Sequence, residues 1–125
     1  MAGNARIEEQ LKLQTPNTYK ALTYLVPALA DTTSSLGKKS LFGRDKGAAA
    51  FEKMLDTLQR TISAMYIDGL ISRASTPPNT LDTLLKFLSL FSEAHPNWQD
   101  AYSFAGFFFQ EERDTALATI AKMRP

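Results

Sequence analysis

The sequence contains no cysteine and one histidine, and its charges are almost balanced, with a net charge of +1. Disulfides, thiolate metal sites and cysteine nucleophiles are therefore excluded, and a reducing compartment such as the cytoplasm is expected. The weak net charge predicts no specific nucleic-acid partner. No apolar run approaches the roughly 18 residues of a membrane span, so none is predicted.

Catalytic and cofactor motifs are also lacking. A serine hydrolase normally needs a histidine base, and the single histidine, His95, lies beside Pro96 at a predicted helix end. A cation is favourable at that negative helix terminus, which is a structural role. No spacing of oxygen or nitrogen ligands predicts a metal site, and residues 37–40 depart from the phosphate-loop pattern. We therefore expect neither an enzyme nor a bound cofactor or metal.

Strand patterns are missing too, since no stretch alternates apolar and polar residues for long and Val26 is the single valine. Apolar residues recur instead at spacings of three and four, which predicts α-helices. The 125 residues are the usual size of one domain. We predict an all-α, single-domain antiparallel bundle of about five helices over residues 1–125.

The clearest helix is predicted between Gly47 and Ile71. Its apolar residues share one side: Phe51, Met54, Leu55, Leu58, Ile62, Met65 and Tyr66. Asp56 and Arg60 lie four residues apart on the polar side and can pair. We expect this helix to organise the fold, because a long amphipathic helix needs partners along its apolar side.

Two helices are predicted before it. Residues 4–14 form a short helix with a thin apolar side. A longer helix starts at Thr15, whose hydroxyl suits the cap, and Pro16, which fits the first helical position. The inward residues of this longer helix are Tyr19, Leu22, Val26 and Leu29. Pro27 lies within the pattern and is expected to kink or end the helix.

A break is predicted at residues 76–78, where two prolines follow a threonine. The next helix is expected to start near Asn79 or Thr80, since Asn79 and Asp82 resemble a capping box. Apolar residues cover most of its circumference, which is typical of an inner helix. His95 and Pro96 end it.

Residues 31–46 lack a helical period and are rich in small polar residues, which predicts the most mobile connection of the chain. Four cations in this connection predict weak anion binding: Lys38, Lys39, Arg44 and Lys46. The alternative interpretation is a solvated connection without a ligand.

Half of the twelve residues from Trp98 to Phe109 are aromatic. A short helix on the outside of a bundle buries one side, and exposed contiguous apolar surface usually marks an interaction site. The predicted partner-binding residues are Trp98, Tyr102, Phe104, Phe107 and Phe108. The alternatives are that these rings line a pocket or lie in the core.

The C-terminal segment resembles a tetratricopeptide repeat over about 30 residues. Five residues carry the resemblance at the positions of its proline, tryptophan, glycine, tyrosine and alanine: Pro96, Tyr102, Gly106, Phe109 and Ala118. Ala105 and Lys122 depart from it. The resemblance implies a helical hairpin in which Gly106 lets the second helix approach closely.

These observations favour a non-enzymatic protein-interaction module, such as an adaptor, a chaperone-like subunit or an inhibitor or immunity-type protein. It would bind a protein partner, or a second copy of itself, through the aromatic helix. The alternative hypothesis is a small-molecule or lipid-binding helical bundle whose pocket is lined by that helix.

Overall fold

The computed structural model describes residues 3–35 and 46–123, and every regular element within them is helical. The elements are α1 (Ala5–Gln14), α2 (Pro16–Ser35), α3 (Lys46–Ile67), α4 (Pro77–Ala94), α5 (Gln99–Gly106), the π-helical turn Phe107–Glu111, and α6 (Arg113–Met123). The all-α prediction is confirmed, with six α-helices in these segments where about five were expected. None of these helices is long and apolar enough to cross a membrane.

The central helix is α2, which contacts α1, α3, α4 and α5. The four residues of its predicted inward side are buried: Tyr19, Leu22, Val26 and Leu29. Leu25 and Ala28 are buried as well, so the apolar surface of α2 is wider than the predicted stripe. A wider apolar surface accepts more neighbours. The organising helix is therefore α2 rather than the predicted helix between Gly47 and Ile71.

Helices α2 and α3 run antiparallel. At one end, the backbone N–H of Thr18 donates to the carboxylate of Asp68, just beyond α3, at 2.6 Å. At the other end, the hydroxyl of Thr32 donates to the carbonyl of Ala50 at 3.3 Å. The apolar α3 residues that are fully buried in the core are Met54, Leu58, Ile62 and Met65.

The start of α2 at Pro16 agrees with the prediction, but the cap does not. Thr15 donates its hydroxyl to the carbonyl of Leu11 at 3.0 Å, so its side chain serves the end of α1. The acceptor for the first turn of α2 is Asp68 instead. α2 also continues through Pro27, so of the two outcomes expected at that proline, a kink or an early end, the early end is wrong.

The first part of segment 31–46 is helical rather than loose, because α2 continues to Ser35. Thr32 and Thr33 donate their hydroxyls to the carbonyls four residues earlier, at 2.8 and 3.0 Å. These hydrogen bonds pair the threonine hydroxyls with carbonyls of the same helix, so the two residues fit within it. Three predicted anion-binding residues lie outside the described residues: Lys38, Lys39 and Arg44. Lys46 is the first residue of α3, and its side chain is also outside them.

α3 ends at Ile67, before the predicted stretch does, and a glycine explains where. Gly69 adopts a φ of 76°, a conformation that glycine reaches at low cost. The N–H of Gly69 donates to the carbonyl of Tyr66 at 3.1 Å, and that of Leu70 donates to Met65 at 2.9 Å. These two bonds form a Schellman motif, which closes the helix and places Asp68 at its cap.

α4 begins two residues before the predicted start. Thr76 caps it by accepting a hydrogen bond from the N–H of Asn79 at 3.2 Å, while two prolines occupy the first helical positions. The capping box predicted for Asn79 and Asp82 is therefore wrong. α4 packs against α1, α2 and α6. Its last residue is Ala94 and His95 is its C-cap, in agreement with the predicted end.

The close approach at Gly106 that the tetratricopeptide resemblance implies is not found in the C-terminal segment. After the π-helical turn, Glu112 leaves the helical conformation with φ −99° and ψ 41°. A Cβ placed on Gly106 would meet no described atom within 4 Å, so this glycine does not mediate a close helix contact. α6 packs against α3, α4 and the π-helical turn.

Candidate interaction surface

The aromatic residues predicted to bind a partner are divided between core and surface. Phe104 and Phe108 are buried, and their rings stack with centroids 6.0 Å apart. Phe51 of α3 meets the ring of Phe108 edge-on at 5.6 Å. Tyr102 is half-buried. Phe104 and Phe108 are therefore core residues rather than surface residues, because they lie one turn apart on the side that faces the protein.

Trp98 and Phe107 are the exposed members of the set, at 38% and 53%. Nine positions separate them, which places them about half a turn apart around a helix axis. They do not form one continuous aromatic surface. Larger exposed fractions belong to apolar residues outside this segment, namely Tyr24 at 62%, Ile67 at 71% and Leu13 at 75%.

Two of those residues, Tyr24 and Ile67, line a groove of about 460 Å³ between α2 and α3. α2 contributes one side at helical spacing: Asn17, Lys20, Ala21 and Tyr24. α3 contributes the other: Asp56, Gln59, Arg60, Ser63, Ala64 and Ile67. The α3 side extends over about 16 Å, or three helical turns.

The α2–α3 groove has a base of small residues and large apolar residues at its walls. Ala64 is buried and Ala21 is half-buried, so they lie deeper than Tyr24 and Ile67. Small side chains at the base let another helix approach closely. The exposed wall residues would lose contact with water when such a helix covers them, which is favourable.

The charges around the groove are few. Lys20 makes no ion pair within the described part of the chain. Arg60 donates from Nε to Asp56 at 3.1 Å, as the sequence predicted. At the end of the groove, burial opposes ionisation of Asp68, but hydrogen bonds from Asn17 and Thr18 outweigh it and lower the pKa of Asp68.

Two cavities beside α4 are smaller than the α2–α3 groove. The cavity between α4 and α5, which includes Tyr102 and Gly106, measures about 140 Å³. The cavity between α1 and α4, lined by Leu11 and Phe87 among others, measures about 280 Å³. Pockets for small ligands usually measure about 300–1,000 Å³. The α2–α3 groove falls within this range, and the two cavities beside α4 do not.

Polar side chains meet where α1, α2 and α4 converge. The hydroxyl of Tyr19 lies 2.9 Å from His95 Nε2, and the carboxylate of Glu8 lies 3.8 Å from the same nitrogen. Lys12 donates to Glu8 at 2.7 Å, and this bond holds the pKa of Glu8 below its ordinary value. Tyr102 donates its hydroxyl to the carbonyl of His95 at 2.7 Å, and burial raises the pKa of Tyr102 to about 12.

This cluster joins a carboxylate, an imidazole and a phenol, but catalysis also needs space for a substrate. His95 lines neither the α2–α3 groove nor the cavities beside α4. Its ring packs against Phe91, with centroids 4.6 Å apart. The cluster therefore serves as a clamp that joins α1, α2 and α5 to the end of α4. Within residues 3–35 and 46–123, no group of acidic or histidine side chains has the arrangement of a metal site.

The α2–α3 groove was not predicted, although its spacing is visible in the sequence. Lys20, Ala21 and Tyr24 follow Asn17 at three, four and seven residues, which places all four on one helix face. The signal for an exposed surface in the sequence was Tyr24, an aromatic residue on the polar side of the helix. Whether such a tyrosine lines a groove depends on which helix packs beside it, and the sequence alone does not predict that neighbouring helix.

No protein-family model, curated protein or solved structure matches this chain.

Proposed function

We propose that the chain is a non-enzymatic protein-interaction module that binds a helical segment of a protein partner in the α2–α3 groove. It would act as an adaptor, a chaperone-like subunit or an inhibitor or immunity-type protein. The observation that carries the proposal is the exposure of Tyr24 and Ile67 above a base of Ala21 and Ala64. An amphipathic helix in an apolar groove is a common mode of peptide recognition.

The positions of the wall residues define the kind of helix that fits. Because α2 and α3 are antiparallel, Tyr24 lies about level with Arg60, while Ile67 lies at the Asn17 end. The two wall residues are thus about 10 Å apart along the groove, or two helical turns. A partner helix with apolar residues at i, i+3 or i+4, and i+7 would contact both walls and the base between them.

The small-molecule or lipid-binding alternative has weaker support. The cavity next to the aromatic segment, between α4 and α5, measures about 140 Å³, below the usual range for small ligands. The α2–α3 groove is larger but open along its length. An open groove covers one side of a ligand, whereas small-molecule pockets enclose most of the ligand surface.

Capture of partners from a lysate of the native cell tests the proposal. The wild-type chain and an Ile67→Glu variant serve as baits, and bound proteins are identified by mass spectrometry. A carboxylate at this position would have to be desolvated on binding, so a partner of the groove should be lost. Leu13→Glu is the matched control, since Leu13 is equally exposed but does not line the groove.

The expected result is a protein captured by the wild type and by Leu13→Glu but not by Ile67→Glu. A photo-crosslinking amino acid at Tyr24 should attach to the same protein. Equal capture by all three baits would contradict the proposal, because binding would then lie elsewhere on the molecule.

A further inference from the structure

The exposed face of α3 carries acidic residues followed by a basic residue, an order that determines which residues would face each other if two copies of the chain associated. Glu52, Asp56 and Arg60 follow one another at four-residue spacings, so they lie along one side of the helix. Arg60 uses Nε to bind its own Asp56 Oδ2. The two terminal nitrogens of Arg60 and the second oxygen of Asp56 remain available to another molecule.

We propose that the occupant of the α2–α3 groove is a second copy of this chain, in a twofold dimer whose two α3 helices run antiparallel. This inference rests on the proposed protein-binding function and names its partner. In a twofold dimer the same surface is used by both copies, so that surface must complement itself. The charges and apolar residues beside the groove meet this condition in one register.

The register follows from the pair Asp56 and Arg60. A twofold axis at the level of Leu58 places Asp56 of each copy opposite Arg60 of the second copy. The internal pairs and the pairs between copies then form a ring of four alternating charges. Arginine and carboxylate groups favour such planar, multiple hydrogen bonds.

The same register also brings other complementary residues of the two copies opposite each other. Lys20 lies about level with Ala64 in the antiparallel α2–α3 pair, so it comes opposite Glu52 of the second copy. Lys20 and Glu52 are exposed and make no ion pair in the described part of the chain. Ile67 comes opposite Ala49 of the second copy, which covers a wall residue of the groove with an apolar contact.

Neighbouring registers are less favourable. A shift of the axis by two residues toward the start of α3 places the two copies of Asp56 opposite each other. A shift by two residues in the other direction places the two copies of Arg60 opposite each other. Like charges that face one another disfavour an association. Each shift also creates attractive contacts, Glu52 with Arg60 in the first case and Lys20 with Asp56 in the second. The register at Leu58 is favoured because it joins two kinds of opposite-charge pair, Asp56 with Arg60 and Lys20 with Glu52, without a like-charge contact among these four residues.

Charge reversal tests the dimer. Arg60→Asp gives a chain with two carboxylates at the ring, and Asp56→Arg gives a chain with two guanidinium groups. Each variant alone should weaken dimerisation at least about tenfold, since two attractive pairs become repulsive by symmetry. An equimolar mixture should restore association, because all four groups then face opposite charges. Sedimentation measures the affinities, and native mass spectrometry distinguishes the mixed dimer by its mass.

Lys86→Asp on α4 is a control that reverses an exposed charge outside the groove, and it should dimerise like the wild type. Three results would overturn the inference: a monomeric wild type, reversals without effect, or a mixture that does not associate. If the wild type is monomeric and captures a different protein, and Ile67→Glu no longer captures that protein, then the second copy is not the occupant of the groove. The proposed function would still hold in that case. Capture that is insensitive to Ile67→Glu would overturn the proposed function itself.

Discussion

Asp68 accepts a hydrogen bond from the backbone N–H of Thr18 at 2.6 Å, across 50 residues of sequence. Asp68 is also the capping residue at the end of α3, where the turn at Gly69 fixes its backbone. One carboxylate therefore connects the end of α3 to the start of α2. An anion is favourable at a helix N-terminus, and the Asn17 side chain adds a second hydrogen bond at 2.9 Å.

Replacement of this cap should destabilise the fold. Asp68→Ala removes the acceptor for the first turn of α2 and should lower the free energy of unfolding by about 1–2 kcal/mol, the usual cost of a lost cap. Urea denaturation followed by circular dichroism measures the change. Asp82→Ala is the matched control, since Asp82 is exposed and lies 3.7 Å from its partner Arg113. A loss below about 0.3 kcal/mol for Asp68→Ala would show that the cap is unimportant.

The contribution of Asp68 should disappear in acid. Its folded-state pKa lies below the ordinary value of 3.8, so its stabilisation is complete above that value and is lost as the pH falls through the folded-state pKa. The difference in unfolding free energy between wild type and Asp68→Asn should therefore shrink from about pH 5 to about pH 2. Urea denaturation at several pH values measures it. A difference that is constant over this range would mean that Asp68 does not titrate at a lowered pKa.

Leu58 should be a central core residue. Its side chain is fully buried, and Leu58→Ala should lower the free energy of unfolding by about 2–5 kcal/mol through lost burial and the cavity that remains. Chemical denaturation measures the loss. Its exposed neighbour Gln59 provides the control, because Gln59→Ala should change stability by less than about 0.5 kcal/mol. Equal effects of the two substitutions would contradict the predicted packing.

Phe104 and Phe107 should respond differently to the same substitution. Phe104 is 8% exposed and Phe107 is 53% exposed. Phe104→Ser should therefore cost about 3 kcal/mol or more, and Phe107→Ser less than about 1 kcal/mol. Thermal melts of the two single variants decide between them. If Phe107→Ser unfolded the protein as strongly as Phe104→Ser, the placement of the aromatic segment would be wrong.

The sequence predicted those features that depend on residues close in the chain. The apolar spacing in Tyr19, Leu22 and Val26 identified a buried helix face, and Pro16 marked a helix start. The cap of α2 could not be predicted, because Asp68 is distant in sequence and Thr15 is locally suitable. The helical state of Thr32 and Thr33 was not predicted, because small polar residues are typical of a loop. In the structure their hydroxyls donate hydrogen bonds to carbonyls of the same helix.

The candidate site was harder to predict than the fold. A count of aromatic residues pointed to the segment from Trp98 to Phe109, but composition does not tell which rings face the core. Phe104 and Phe108 point inward, whereas Phe107, adjacent in sequence, points outward. A groove between two helices depends on their relative orientation, which is set by long-range contacts such as that of Asp68 with Thr18.

Helix α1 is held in the fold by contacts between residues that are far apart in the sequence. The N–H of Asn4 donates to the carbonyl of Glu93 at 2.9 Å, and the α2 residue Tyr19, which completes the clamp, lies 76 residues before His95. Contacts at such separations form late, because a long loop must close first. α2 and α3 are consecutive in the chain and pack against each other directly. During synthesis on the ribosome, the α2–α3 pair and its groove therefore assemble before α4, the other helix on which α1 docks, is available.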